Sequence, residues 1–449
     1  MQPAAGGIEH ESCEAPLSET AGDDRAGDSF PLTGPAVAAI LFLLFAVGAL
    51  FRLQHVDDAR LRTPDERVYT SFAGRIAGRG LAELPVLVAE YNRDPGSWKY
   101  PPPMRAGYLV LLAWFMRSSG IGGELAGVWL SCWLSIATLA LMAVIGARFL
   151  PVWAALYGTL ALAVSVPDLV VARRCWQDSL AGALGLLLVW SACEIIRDHR
   201  RPWPYALFVS AGSFFAVVKE LGAIVYALCA LYVVALLMRR RAWKALARLV
   251  SCGLIGSAAA ACGLILAAGG LDPLLEGWNH MRGGVNVSAY AQTFQNGPWY
   301  GFLRGSVILD PVNVVLAAFG TGAAILLLVP ERAREGVRVP SFPLQRPLAG
   351  LFVWMSAALV AFVLAVPTLE NFRYLEPVYG PMYLLGGIGL WTVLQLVANR
   401  WHGSMRESVT VLVLGAVLVV GLLQQRRFER VYVARDTSDL SIRMVLDTR

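Results

Sequence analysis

Charge is scarce in this sequence, and lysine is scarcer still. Only 16% of its 449 residues are charged, while 57% are hydrophobic, against about 25% and roughly 45–50% in soluble domains. That shortage excludes a soluble enzyme and a disordered protein. Of 38 basic residues, three are lysine: Lys99, Lys219 and Lys244. Cysteine lacks any pattern. The seven, at 13, 132, 175, 193, 229, 252 and 262, lie mostly inside apolar blocks, without CxxC or other metal-ligand spacing. They read as small buried hydrophobes, with no metal or redox role. No basic segment precedes the first apolar block, which argues against a cleaved signal peptide. No internal repeat is visible.

The sequence does contain apolar blocks long enough to cross a bilayer. They fall at 34–51, 124–147, 150–168, 179–196, 203–219, 221–238, 248–269, 308–330, 348–367, 376–398 and 408–424. A turn near Lys219–Glu220 divides 203–238, because one 36-residue helix is too long for a span. The fold class is therefore all-α, a polytopic bundle of about eleven spans. Residues 104–117, short and bearing Arg105 and Arg117, suit an interfacial helix better. Residues 1–33 are polar and acidic and read as a disordered cytoplasmic tail. The transmembrane domain covers 34–424, with outer loops at 52–123 and 271–307 and a short outer tail at 425–449.

Eleven spans and a cytoplasmic N-terminus put every arginine-rich turn inside: Arg148, Arg197–Arg201, Arg239–Arg248, Arg332–Arg346 and Arg400–Arg406. That satisfies the positive-inside rule. The net charge of +6 then reports orientation and calls for no nucleic-acid partner.

The first outer loop is the most informative segment. Over 62–79, Val68, Tyr69, Phe72, Ala73, Ile76 and Ala77 make one helical stripe, with Glu66, Arg67, Thr70, Ser71, Arg75 and Arg79 opposite. Thr63 suits the N-cap, Pro64 the first helical position, and Glu66 completes a capping box. Glu66 thus reads either as a cap or as a substrate contact. Asp65, held rigidly at the mouth of the bundle, has what a general base needs. Further on, Lys99 precedes Pro101–Pro103, a rigid segment that can offer its cation to an anion. A lysine kept against an arginine bias points to a site that prefers a compact charge to a planar one. By that argument Lys99 and Lys219 stand out, and Lys244 belongs to an arginine-rich turn. Lys219 reads also, and rather more readily, as the partner of Glu220, and Asp178 has an alternative reading as an interfacial partner of Arg173 and Arg174.

Pro64-Asp65-Glu66 with Tyr69, then Lys99 with Pro101–Pro103 and Gly107-Tyr108, resembles the first periplasmic loop of the C-type glycosyltransferases. The likeness is to dolichyl-phosphate-mannose protein mannosyltransferases and bacterial lipid A aminoarabinose transferases. Asp178 falls where these carry a second outer acid. Val218-Lys219-Glu220-Leu221-Gly222 is similar to their Thr-Lys-Gly span. Trp278–Arg282 and Gly297–Tyr300 resemble the loop before a late span, and Arg373-Tyr374 with Pro377 resembles their Arg-Tyr-x-x-Pro segment. The inserted Tyr100 and the short C-terminal tail depart from the pattern.

The resemblance implies transfer of a sugar from a polyprenyl-phosphate carrier to an acceptor on the outer face of a bacterial plasma membrane, with inversion. It implies Asp65 as base, Asp178 and Glu66 positioning hydroxyls, and Lys99, Arg282 and Arg373 at the lipid phosphate. Lys219 and Tyr374 join the substrate contacts, with Tyr69, Trp98 and Trp299 as stacking surfaces. The acceptor is open among protein, glycolipid and cell-wall glycan. No cofactor is assigned, and a divalent metal stays open. Two other classes fit a lipid-linked saccharide: a transporter or flippase, and a polymerase or ligase. Charges gathered at one face, without an inverted repeat, favour the transferase.

Overall fold

The computed structural model describes residues 34–54, 56–57, 63–287, 300–329, 345–365, 371–400 and 404–430. The N-terminal tail, Trp299, the turn holding Arg332–Arg338 and most of the C-terminal tail lie outside the described residues. Among the described residues the chain is helical, without strands. It is an all-α, multi-pass membrane protein.

The helices are α1 (Gly34–Leu53), α2 (Pro64–Arg79), α3 (Glu83–Arg93), α4 (Ala106–Ser119), α5 (Gly123–Phe149), α6 (Val152–Ala163), α7 (Val166–Ala172), α8 (Asp178–Arg197), α9 (Trp203–Val218) and α10 (Glu220–Arg239). Then follow α11 (Trp243–Ala268), α12 (Leu271–Val287), α13 (Gly301–Leu309), α14 (Pro311–Leu328), α15 (Arg346–Ala365), α16 (Glu376–Arg400) and α17 (Ser404–Phe428). A 3-10 turn, Phe372–Leu375, leads into α16. Most of the expected spans each fall on a single helix. Among the described residues, seven are long and apolar enough to cross a membrane unaided. The block 150–168 is not one straight rod: α6 and α7 meet at a 50° bend and together supply an eighth candidate span. The C-terminal helix also runs past 424, to Phe428, whose ring is buried.

Two helix breaks matter for the site. Between α6 and α7, Ser165 Oγ accepts from the Asp168 N–H (3.4 Å), and Pro167 sits in the first turn. Between α9 and α10, Lys219 alone is extended (φ −156°, ψ 141°), so the chain reverses within one residue. The expected turn at Lys219–Glu220 is there.

At the centre, α14 and α16 pack backbone to backbone. A Cβ on Gly320 would lie 1.8 Å from the Leu385 carbonyl oxygen, and one on Gly389 1.9 Å from that of Leu316. Small residues permit this approach where no hydrophobic driving force separates helix from lipid. Arg75 Nε reaches Glu83 (2.7 Å) and its Nη2 reaches Glu90 (2.9 Å), clipping α2 to α3. The short helix α4 packs against α2, α5 and α9, with Tyr108, Leu109 and Leu112 fully buried.

The bundle has two unlike ends. At one, arginines face the turns: Arg148 pairs with Glu194, Arg240 caps the Ile196 carbonyl (2.7 Å) and Arg248 reaches the Arg200 carbonyl (3.0 Å). At the other, α2, α3, α4 and α12 roof the bundle, and acids and cations from six segments converge.

Candidate functional site

The convergence starts from the N-terminus of α2. Glu66 Oε2 accepts from the Thr63 N–H (2.9 Å) and hydroxyl (3.0 Å), and Oε1 accepts from the Cys175 N–H (3.1 Å). The capping box is present. Glu66 is fully buried, in line with Tyr69, Ala73 and Ile76 and not on the polar face the periodicity assigned it. Three donors satisfy the carboxylate and make that burial affordable. Its neighbour Asp65 points elsewhere. Asp65 Oδ2 accepts from Arg373 Nη2 at 3.5 Å, the one hydrogen bond of the Asp65 carboxylate among the described residues.

The segment 173–178, between α7 and α8, supplies the floor. The Arg373 guanidinium lies over the Trp176 ring (4.9 Å) and beside that of Tyr374 (5.3 Å). Gln177 accepts from the Tyr69 hydroxyl (2.8 Å). Asp178 accepts from Lys219, and both are buried. The Lys219 ammonium also lies over the Tyr374 ring, 4.6 Å from its centroid. The Tyr374 ring thus touches two cations, each with its own carboxylate: Arg373 with Asp65, Lys219 with Asp178.

A third pair adjoins them. Arg105 forks onto Glu220, Nε to Oε1 and Nη2 to Oε2, both 3.1 Å, and Nη1 donates to the Tyr69 hydroxyl (2.6 Å). Burial pushes the Tyr69 phenol well above its ordinary range, with Asp65 and Asp178 adding to the effect, so it stays protonated. Burial likewise pushes the Cys175 thiol up to about 12, which leaves it inert.

Beside these pairs opens a cavity of about 580 Å³ between α9, α10, α11 and α12. Its depth is apolar and small, with Ala216, Ala223, Ala260 and Ala261 among the lining residues. Its polar lining is Arg105, Lys219, Glu220, Arg282, Ser213 and Ser257. Arg282 is exposed and, among the described residues, faces no carboxylate within ion-pair distance.

Of the residues singled out from sequence, the fold brings Asp65, Asp178, Lys219, Arg373 and Tyr374 into one cluster, with Arg282 across the cavity. Glu66 and Tyr69 adjoin the cluster, but the Tyr69 ring is buried against Tyr108, edge to face at 5.2 Å, and offers no free face. Lys99 stands apart. It is exposed, 5.2 Å from the Tyr100 ring, and the backbone of Trp98–Lys99 packs on Gly284 of α12, where a Cβ would lie 2.2 Å from the Trp98 carbonyl oxygen. Trp98 itself stacks on His280 (3.8 Å). Among the described residues, no three His, Cys, Asp or Glu side chains are grouped to hold a metal.

Two residues escaped the sequence reading: Arg105 and Glu220. Lys219 and Glu220 looked like natural partners, but adjacent residues at a helix start diverge. Lys219 turns inward to Asp178, and Glu220 faces the cavity. Asp178 likewise passes over Arg173, whose guanidinium instead reaches the Gln54 carbonyl.

Comparison with solved structures gives the architecture a name. ArnT from Cupriavidus metallidurans bound to undecaprenyl phosphate superposes with a TM-score of 0.51, over 92% of this chain and 74% of that one, at 14% identity. The fold is that of the C-type glycosyltransferases. The apo state of the same ArnT gives 0.52 at 16% identity, with the same coverage. The archaeal oligosaccharyltransferase AglB from Archaeoglobus fulgidus, in complex with an inhibitory peptide and a dolichol-phosphate, gives 0.55 at 9% identity. That match covers 87% of this chain and 56% of AglB. No family model matches the sequence, and no curated protein does.

Proposed function

We propose that this C-type chain is a membrane glycosyltransferase that moves a sugar from a polyprenyl-phosphate carrier to an acceptor, with inversion, at the outer face of a bacterial plasma membrane. The observation that carries the reading is a largely apolar cavity with Arg105, Lys219 and Arg282 in its lining, where Lys219 is linked through the Tyr374 ring and Arg373 to the part-exposed Asp65 carboxylate. The cavity takes part of the lipid chain. Arg282, Lys219 and Arg373 draw the phosphate, with Lys99 at the rim. Asp65 accepts the proton of the acceptor hydroxyl as its oxygen bonds to the anomeric carbon. The carbon–oxygen bond to the phosphate breaks, and the phosphate leaves with the electron pair. A positioned base contributes about 10²–10⁴-fold, and cations aimed at the leaving group add electrostatic stabilisation.

Asp178 holds Lys219 in place, and the Tyr374 ring contacts both cations. Glu66 fixes the start of α2 and so the direction of Asp65. The gathering of charge at one end of the bundle also favours transfer over transport, since a transporter places its charges along a path through the membrane. The N-terminus in the cytoplasm puts this end outside.

Purified protein in lipid nanodiscs, given a polyprenyl-phosphate sugar, should release sugar to water or an acceptor. Asp65→Asn should abolish release and keep the thermal transition. Full activity in that variant would remove Asp65 as the base. A topology reporter at residue 120 should read outside. The mass of the glycan precursor accumulating when the protein is removed would identify sugar and acceptor.

A further inference from the structure

The Arg105–Glu220 pair lies on the cavity wall, where the donor reading puts a phosphate. Arg105 is 18% and Glu220 34% exposed, so neither is sealed in the protein. Their contact is the planar two-point fork that arginine also forms with phosphate. Glu220 opens α10, held there by the single-residue reversal at Lys219. Arg105 is anchored independently, by its remaining contact to the Tyr69 hydroxyl (2.6 Å) and by its place just ahead of α4. The guanidinium would therefore stay put if the carboxylate swung away into the cavity.

We infer that Glu220 is an internal competitor for Arg105: it occupies the guanidinium in the empty enzyme, yields it to the carrier phosphate, and reclaims it to expel the product. This rests on the donor reading above. The chemistry makes such a device useful. The donor is a phosphate diester with one negative charge. Once the sugar has gone, the carrier is a monoester with a charge of about −1.5 to −2 near neutral pH. The cations that stabilise the leaving phosphate hold the product more tightly than the substrate. A carboxylate tethered within reach of one of them offsets that excess and shortens product residence.

The test is binding of undecaprenyl phosphate and of uncharged undecaprenol to the full chain in nanodiscs. Glu220→Gln should bind undecaprenyl phosphate at least tenfold more tightly than wild type, Arg105→Gln at least tenfold more weakly, and undecaprenol equally in all. In the Arg105→Gln background, adding Glu220→Gln should change nothing. Added undecaprenyl phosphate should inhibit turnover by Glu220→Gln at lower concentration than it inhibits wild type. Glu220→Asp keeps the charge but shortens the reach, and should give an intermediate gain if the glutamine variant does not fold. Unchanged or weaker phosphate binding in a folded Glu220 variant would overturn the competitor role, making Glu220 a plain support for Arg105. Wild type that binds undecaprenyl phosphate no better than undecaprenol would sink the donor reading itself, whatever Glu220 does.

Discussion

Arg52–Asp168 and Arg373–Asp65 are both arginine–carboxylate pairs near the same end of the bundle, and they differ in what else touches them. Arg52 and Asp168 are 0% and 1% exposed. The Arg52 guanidinium donates to Ser135 (2.5 Å), to the Gly48, Leu162 and Ala163 carbonyls (2.8, 2.9 and 3.3 Å) and to Asp168, and Ser135 donates in turn to Asp168 (2.6 Å). That pair fastens α1 and α5 to the α6–α7 bend and so locates the segment leading to Trp176 and Asp178. Arg373 and Asp65 are 15% and 28% exposed and meet once, at 3.5 Å. One pair has no capacity left for a ligand. The other keeps its carboxylate largely uncommitted. Equal chemistry serves structure where every donor is filled, and is available for reaction where it is not.

The comparison is sharpest where the open pair is disabled. Asp65→Asn should lower transfer by about 10²–10⁴-fold, with the thermal midpoint near wild type, measured by product formation and unfolding in the same preparation. The sealed pair should respond the other way. Arg52→Met strands the Asp168 carboxylate and should cost about 3–5 kcal/mol of stability, seen as early thermal unfolding. A stable Arg52→Met protein would break the contrast.

Lys219 tests the middle ground, because it is buried yet lines the cavity. Lys219→Arg should fold but lose at least tenfold in kcat, since a planar guanidinium does not fit the compact space between Asp178 and the Tyr374 ring. Wild-type kcat in that variant would show that any cation serves.

The smallest effect concerns Asp310, the cap of α14, which accepts from the Asn313 N–H (3.3 Å) and Gln424 (3.3 Å). Asp310→Ala removes this cap and should cost about 0.5–2 kcal/mol of stability, read as a lower thermal midpoint. An unchanged midpoint would show that the start of α14 holds without it.

Much of this was legible in the residues. The cap at Thr63–Glu66 follows from local geometry and is where the pattern puts it. The division at Lys219 follows from the length a bilayer allows. Pairing was not legible. Asp178 could have met Arg173 or Arg174, and Lys219 its neighbour Glu220. The choice of Lys219 for Asp178, and of Arg105 for Glu220, depends on segments 41 and 115 residues apart. Glu66 shows the same limit within one helix, since periodicity puts a carboxylate on the wet face and cannot foresee the Cys175 N–H that lets it be buried.

By itself the sequence determined that this is a helical membrane protein, where most of its helices lie, and where 203–238 divides. Those are consequences of apolar length, caps and charge bias, all local. Only the tertiary structure decided which carboxylate each cation serves, which pairs are sealed and which are open, and that a cavity lies beside them. Those depend on contacts between segments far apart in the chain, and no pattern along it encodes the partner.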